Sequence, residues 1–139
     1  MEKIIILAMF AQVTLSLFVM IVMGKRRIQA AKNKQLNFND FKTMQLDKAG
    51  DTVRVADRNF SNQFEIPVLF YAGCLLALQL HNASYLVAAL ACLFVVSRVA
   101  HTVIHLGQNN VRARFNVFLF GCGCVFAIWL AMIWRIIAF

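Results

Sequence analysis

YLVAALACLFVVSRVAHTVIH, running from Tyr85 to His105, is the stretch that decides the fold. It is apolar over most of its length. At about 1.5 Å per helical residue it crosses the roughly 30 Å hydrocarbon core of a bilayer. Its last third carries Arg98, His101, Thr102 and His105 at i, i+3, i+4 and i+7, which is one face of a helix. Arg98 lies about 10 Å deeper along the axis than His105. A charged side chain at the bilayer centre costs about 2.5–3.5 kcal/mol on insertion scales, so intramembrane polar groups are read first as functional. The structural alternative is an ion pair joining two helices. Glu65 is the acidic residue at the edge of a buried apolar run, and Asp57 lies about two turns nearer the loop, so an Arg98–Glu65 pair is expected.

Outward from this span, His81-Asn82-Ala83-Ser84 is a tight connection with Ser84 as a predicted N-cap. Gly107 stands where a helix C-terminal glycine belongs. Apolar runs flank both turns and predict spans over 54–80 and 114–139. The first run, Ile4 to Met23, holds no charge. A signal peptide is its rival reading, but the run is too long for an h-region. Gly24-Lys25-Arg26-Arg27 is a stop-transfer flank, not a small-residue cleavage site. Short connections make neighbours antiparallel. The expectation is an all-α, integral membrane, antiparallel four-helix bundle forming one domain over 1–139, with spans at 4–23, 54–80, 85–105 and 114–139 and a loop at 24–53.

Composition agrees. The chain is 61% hydrophobic and 14% charged, against about 25% charged in soluble domains. Of fourteen basic residues, seven lie between Lys25 and Lys48. Such a segment can mark nucleic-acid binding, but apolar runs on both sides make it a juxtamembrane loop and exclude that partner. The positive-inside rule puts this loop and the Arg112 loop in the cytoplasm and both termini outside. That means an inner membrane in a bacterium or the endoplasmic reticulum in a eukaryote. Trp129 and Trp134 are expected as anchors near the outer face. Cys74, Cys92, Cys122 and Cys124 all fall in apolar runs and read as small apolar residues.

A second polar face runs through Arg54, Arg58, Asn62 and Glu65, at steps of four, four and three. Pro67 follows, and its missing N–H frees a carbonyl one turn earlier. Arg114 enters the last helix two residues after Arg112, at an N-terminus that attracts anions. The bland reading is a snorkelling interfacial face. The functional one is an electropositive pocket at the cytoplasmic boundary for a small, multiply charged anion with amide groups. No carboxylate or thiolate shares the His101–His105 face, so hydrogen bonding is expected of these rings and no metal.

The segments Arg58-Asn59-Phe60-Ser61-Asn62-Gln63-Phe64-Glu65 and Arg98-Val99-Ala100-His101-Thr102-Val103, with the nine-residue step from His105 to Arg114, resemble a known family. It comprises the membrane-associated proteins in eicosanoid and glutathione metabolism, including microsomal glutathione transferases and prostaglandin E synthases. The resemblance implies a homotrimer that binds glutathione between subunits near the cytoplasmic face. Matched by motif, Arg27, Arg58, Asn62, Glu65, His101, His105 and Arg114 would contact the tripeptide. Arg114 would be the catalytic residue, stabilising the thiolate for attack on a hydrophobic second substrate arriving from the lipid. Arg98 would play a supporting ion-pair role with Glu65. The departures are His105 where several relatives have Tyr, and Phe115 and Phe118 where the prostaglandin branch has Ser and Tyr. They argue against an eicosanoid-specific reaction. A glutathione-dependent transferase or peroxidase is the leading expectation. A non-catalytic glutathione-binding or scaffold protein comes next, then a small four-helix transporter. Transport would want a titratable carboxylate near the midplane, which Glu65 does not supply.

Overall fold

The computed structural model describes residues 1–36, 38–42 and 49–138. The remainder of the basic loop, including Lys48, and the last residue of the expected final span lie outside the described residues. Among the described residues six helices follow in order: α1 (Glu2–Lys32), α2 (Phe38–Lys42), α3 (Asp51–Ser61), α4 (Ile66–Gln79), α5 (Tyr85–Leu106) and α6 (Val111–Ala138). Helices α1, α5 and α6 are each long and apolar enough to cross a membrane. The fourth column is made of α3 and α4 together, since the 14 residues of α4 cover only about 21 Å. The fold is an integral membrane bundle of four columns. α5 packs on α6 and α1, and the α3–α4 column packs on α1 and α6.

Two boundaries differ from the sequence reading. α1 runs on to Lys32, so the expected 24–53 loop begins as helix and ends inside α3. The 54–80 span is broken between Ser61 and Ile66. There the chain tightens, with Gln63 N–H bonding Phe60 O and Phe64 N–H bonding Ser61 O, while Pro67 offers no donor. A broken helix leaves carbonyls that lipid cannot satisfy. Side chains take them: Gln63 Nε2 donates to Asn59 O at 3.2 Å and Arg98 Nη2 donates to Asn62 O at 2.9 Å. Gln12, buried in the middle of α1, donates to Gln63 Oε1 at 3.0 Å and ties the break to the first helix.

The apolar core lies towards the other end of the bundle. Phe70 stacks on Phe94 with ring centroids 4.4 Å apart, and Cys74, Ala77, Ala88, Ala91, Cys124 and Ile128 fill in around them. Small residues set how closely the helices approach. A Cβ on Gly121 would stand 2.7 Å from Ser97 Oγ, so α5 and α6 meet there only because position 121 has no side chain. Trp129 was expected as an interface anchor. Its N–H instead donates to Leu69 O at 3.1 Å, because Gly73 lets the indole lie against α4. Trp134 is 72% exposed.

The outer faces of the bundle carry exposed Leu7, Phe10, Leu17 and Phe18 on α1 and Phe120, Phe126 and Ile133 on α6. Apolar surface this continuous marks a lipid or protein contact. Ser84 caps α5 as expected, its hydroxyl accepting from Val87 N–H at 3.3 Å. At the opposite, basic end, Arg26 donates to Thr52 O at 2.9 Å and to Leu106 O at 3.2 Å. One guanidinium therefore joins α1, the start of α3 and the end of α5. A small satellite core of Ala30, Leu36, Ala49 and Val53 closes that end.

Candidate functional site

At the basic end, a cavity of about 220 Å³ opens between the helix break, α5 and α6. Each of its walls comes from one local feature. Arg58 projects from the last turn of α3, while Asn62 and Glu65 stand at either edge of the break. With its amide nitrogen turned towards Glu65, the orientation that satisfies both its atoms, Asn62 donates to Glu65 Oε2 at 3.1 Å and Oε1 at 3.3 Å. The break therefore presents an ordered carboxylate beside the Arg58 guanidinium.

α5 contributes His101 and His105, both buried. Their rings meet edge to face, with centroids 5.5 Å apart, and His101 also rests against Phe118 at 6.1 Å. Among the described residues Nδ1 of each ring is buried without a hydrogen-bond partner, as are Nε and Nη1 of Arg98 and the hydroxyl of Thr102. The polar face read from the sequence therefore points into the bundle, with His101 and His105 on the cavity wall and Arg98 and Thr102 off it.

α6 starts at Val111, and Asn110 caps it, Oδ1 accepting from Ala113 N–H at 3.1 Å. Arg114 sits in the first turn and closes the cavity with Val111, Phe115 and Phe118. Its guanidinium donates to Asn109 Oδ1 at 2.6 Å. Its positive charge adds to the partial positive charge of the α6 N-terminus, and both would attract an anion in the cavity.

Six of the residues singled out by sequence thus line one cavity: Arg58, Asn62, Glu65, His101, His105 and Arg114. One expectation is corrected, and one residue stands apart in the single chain. Among the described residues Arg98 and Glu65 form no ion pair; Arg98 donates to Asn62 backbone O, and the Asn62 side chain separately donates to Glu65. The physical reason is the helix break, which exposes a carbonyl closer to the guanidinium than the carboxylate. Arg27 does not join the others within one chain. It is ion-paired with Asp57 at 2.7 Å and lines a second cavity of about 520 Å³, with Arg54 and Asp57. Arg58 belongs to both cavities and forms the wall between them.

Sequence reasoning missed Asn109, Gln12 and Gln63. Asn109 was hidden behind Gly107, the expected turn residue. Gly107 keeps φ −94°, and the left-handed position falls on Asn109 at φ 50°. Asn is several-fold enriched there, so the Asn109-Asn110 pair before a helix was the available signal. Gln12 in an uncharged run was the other.

Chemically, the cavity sets two guanidinium groups and one carboxylate around buried imidazoles with apolar walls beside Arg114. Such a set offers cationic donors to anionic groups and one carboxylate to a donor. A model described as the MAPEG family matches residues 5–134. No curated protein and no solved structure matches the chain. The match spans nearly the whole bundle, including the helix break, the α5 polar face and Arg114, and the chain belongs to the MAPEG family.

Proposed function

We propose that the protein is a glutathione-dependent transferase or peroxidase that acts on hydrophobic electrophiles or lipid hydroperoxides delivered from the bilayer. The observation that carries this reading is the convergence of Arg58, Asn62, Glu65, His101, His105 and Arg114 on one cavity. Glutathione has two carboxylates, an α-ammonium, two amides and a thiol. Arg58 matches a carboxylate, Glu65 matches the ammonium, and Asn62 and the histidines match amide groups. Arg114 is left for the thiolate.

The cavity volume of about 220 Å³ is below the roughly 300–1,000 Å³ of pockets that enclose small ligands. That supports a homotrimer in which Arg27 of the partner subunit completes the site, the arrangement implied by the family. The orientation from the positive-inside rule puts the site at the cytoplasmic face, where glutathione is supplied. The exposed apolar faces beside Phe115 lead the second substrate in from lipid.

The nucleophile is the thiolate. A free thiol has a pKa of about 8.5, and lowering it by two units takes about 2.7 kcal/mol of preferential stabilisation of the anion. A guanidinium hydrogen bond in a partly dry site is of that order. The sign follows directly. A lowered thiol pKa keeps the thiolate present above that pKa, and the reaction is lost as pH falls through it. Conjugation of a hydrophobic electrophile should therefore stay flat from pH 8 down to about 7 and fall tenfold per unit below about 6. A rate that keeps climbing between pH 7 and 9, as free glutathione would give, contradicts thiolate stabilisation.

Binding without catalysis is favoured by one observation. Phe115 and Phe118 give α6 an aromatic wall where a hydroxyl would otherwise donate to a leaving group. Thiolate absorbance with no turnover of any lipophilic electrophile or hydroperoxide would support that alternative.

A further inference from the structure

The contact between Arg114 and Asn109 is anchored at both ends. Asn109 holds φ 50°, and its N–H bonds Ile104 O at 2.8 Å, so the residue is fixed to the end of α5. On the other side, Arg114 N–H bonds Asn110 O at 3.0 Å as α6 begins, and the Asn110 side chain caps that turn. Between the two fixed backbones, Asn109 Oδ1 accepts from Arg114 Nη1 at 2.6 Å. The acceptor is neutral. An amide oxygen orients a guanidinium without cancelling its charge, whereas a carboxylate in the same place would orient and neutralise it.

We propose that Asn109 is the positioning residue for Arg114, holding the guanidinium against the cavity wall with its full charge available to a bound thiolate. The inference rests on the glutathione reading of this cavity. Left-handed backbone alone does not account for the residue, because glycine serves that role at no steric cost and lacks the amide that reaches Arg114. Untethered, a long flexible arginine would spread over several rotamers, and the field at the thiol would weaken.

Detergent-solubilised full-length protein saturated with glutathione tests this by pH titration of the ultraviolet thiolate band, with calorimetry reporting affinity. Asn109→Gly keeps the turn and removes the tether. The apparent pKa of the bound thiol should rise by about one unit, leaving roughly tenfold less thiolate at low pH, while affinity changes by less than about threefold. Asn109→Asp tolerates the same backbone and adds a neutralising charge, so the thiol pKa should rise further. It also carries the test if the glycine variant folds poorly. A wild-type thiol pKa in Asn109→Gly assigns the residue to the backbone turn alone and overturns the proposal, as does an unchanged or lowered value in Asn109→Asp. Wild-type protein that binds glutathione with no thiolate band, or that binds none, overturns the glutathione reading and this inference with it.

Discussion

Arg114→Ala is expected to lower glutathione conjugation at pH 7 by about a hundredfold while leaving the bundle intact. Arg114 is half-buried in the first turn of α6, and among the described residues its side chain bonds the loop residue Asn109, so little packing depends on it. Its loss should return the bound thiol to about pH 8.5. From a pKa near 6.5, that shift alone cuts the thiolate present at pH 7 by roughly 25-fold. Losing a donor placed on the developing charge typically costs about 10²–10³ in turnover. Two signatures separate this from a folding defect. The residual activity should climb tenfold per pH unit up to about 8.5, and glutathione should still bind through Arg58, Asn62 and Glu65. Arg114→Lys should fall between, since the charge remains and the planar fork is lost. Steady-state rates measured across pH check all three. A variant with the same pH profile as wild type removes Arg114 from the chemistry.

The second large effect is structural. Gly121→Leu should destabilise the bundle by about 3 kcal/mol, because overpacking a tight interface costs 1–3 kcal/mol or more. A Cβ at 121 already stands 2.7 Å from Ser97 Oγ, with the Phe94 ring at 3.7 Å behind it. Ser97 cannot simply yield, since its hydroxyl is engaged with Phe94 O at 2.6 Å. A leucine therefore drives α6 away from α5. His101 and His105 are on α5 while Arg114 and Phe118 are on α6, so glutathione affinity should fall along with thermal stability. Gly123 is the internal control. A Cβ there meets nothing within 4 Å, and Gly123→Leu should melt with the wild type. Equal melting of the two variants would show that the Ser97–Gly121 approach does not set the helix spacing.

Much of this was legible in the sequence, for identifiable reasons. Apolar length alone gives α1, α5 and α6, because a helix must satisfy its own backbone in lipid. Periodicity gives the α5 face, and motif spacing picks out Arg58, Asn62, Glu65, His101, His105 and Arg114, which line one cavity. The break between α3 and α4 was not legible. Pro67 announced a disturbed carbonyl, but the i→i+3 tightening depends on donors supplied from far along the chain. Arg98 is 36 residues from Asn62, and Gln12 is 51 from Gln63. Sequence spacing carries no trace of either meeting. The same break explains why Arg98 binds a carbonyl where an ion pair with Glu65 was expected. Arg27 was assigned to the site by resemblance, and in the single chain it pairs with Asp57 across the wall formed by Arg58. Its assignment to the tripeptide therefore depends on assembly.

These polar residues thus divide into two sets. Gln12, Asn59, Gln63 and Arg98 repair a broken helix inside the bundle, and Arg58, Asn62, Glu65, His101, His105 and Arg114 face a cavity. Titration calorimetry of glutathione into the wild-type protein in lipid nanodiscs tests the claim that this cavity is a glutathione site. The account expects saturable binding at millimolar or lower glutathione, weakened at least tenfold in Arg58→Ala. Absence of a binding heat at millimolar glutathione, or equal affinity in Arg58→Ala, would contradict it.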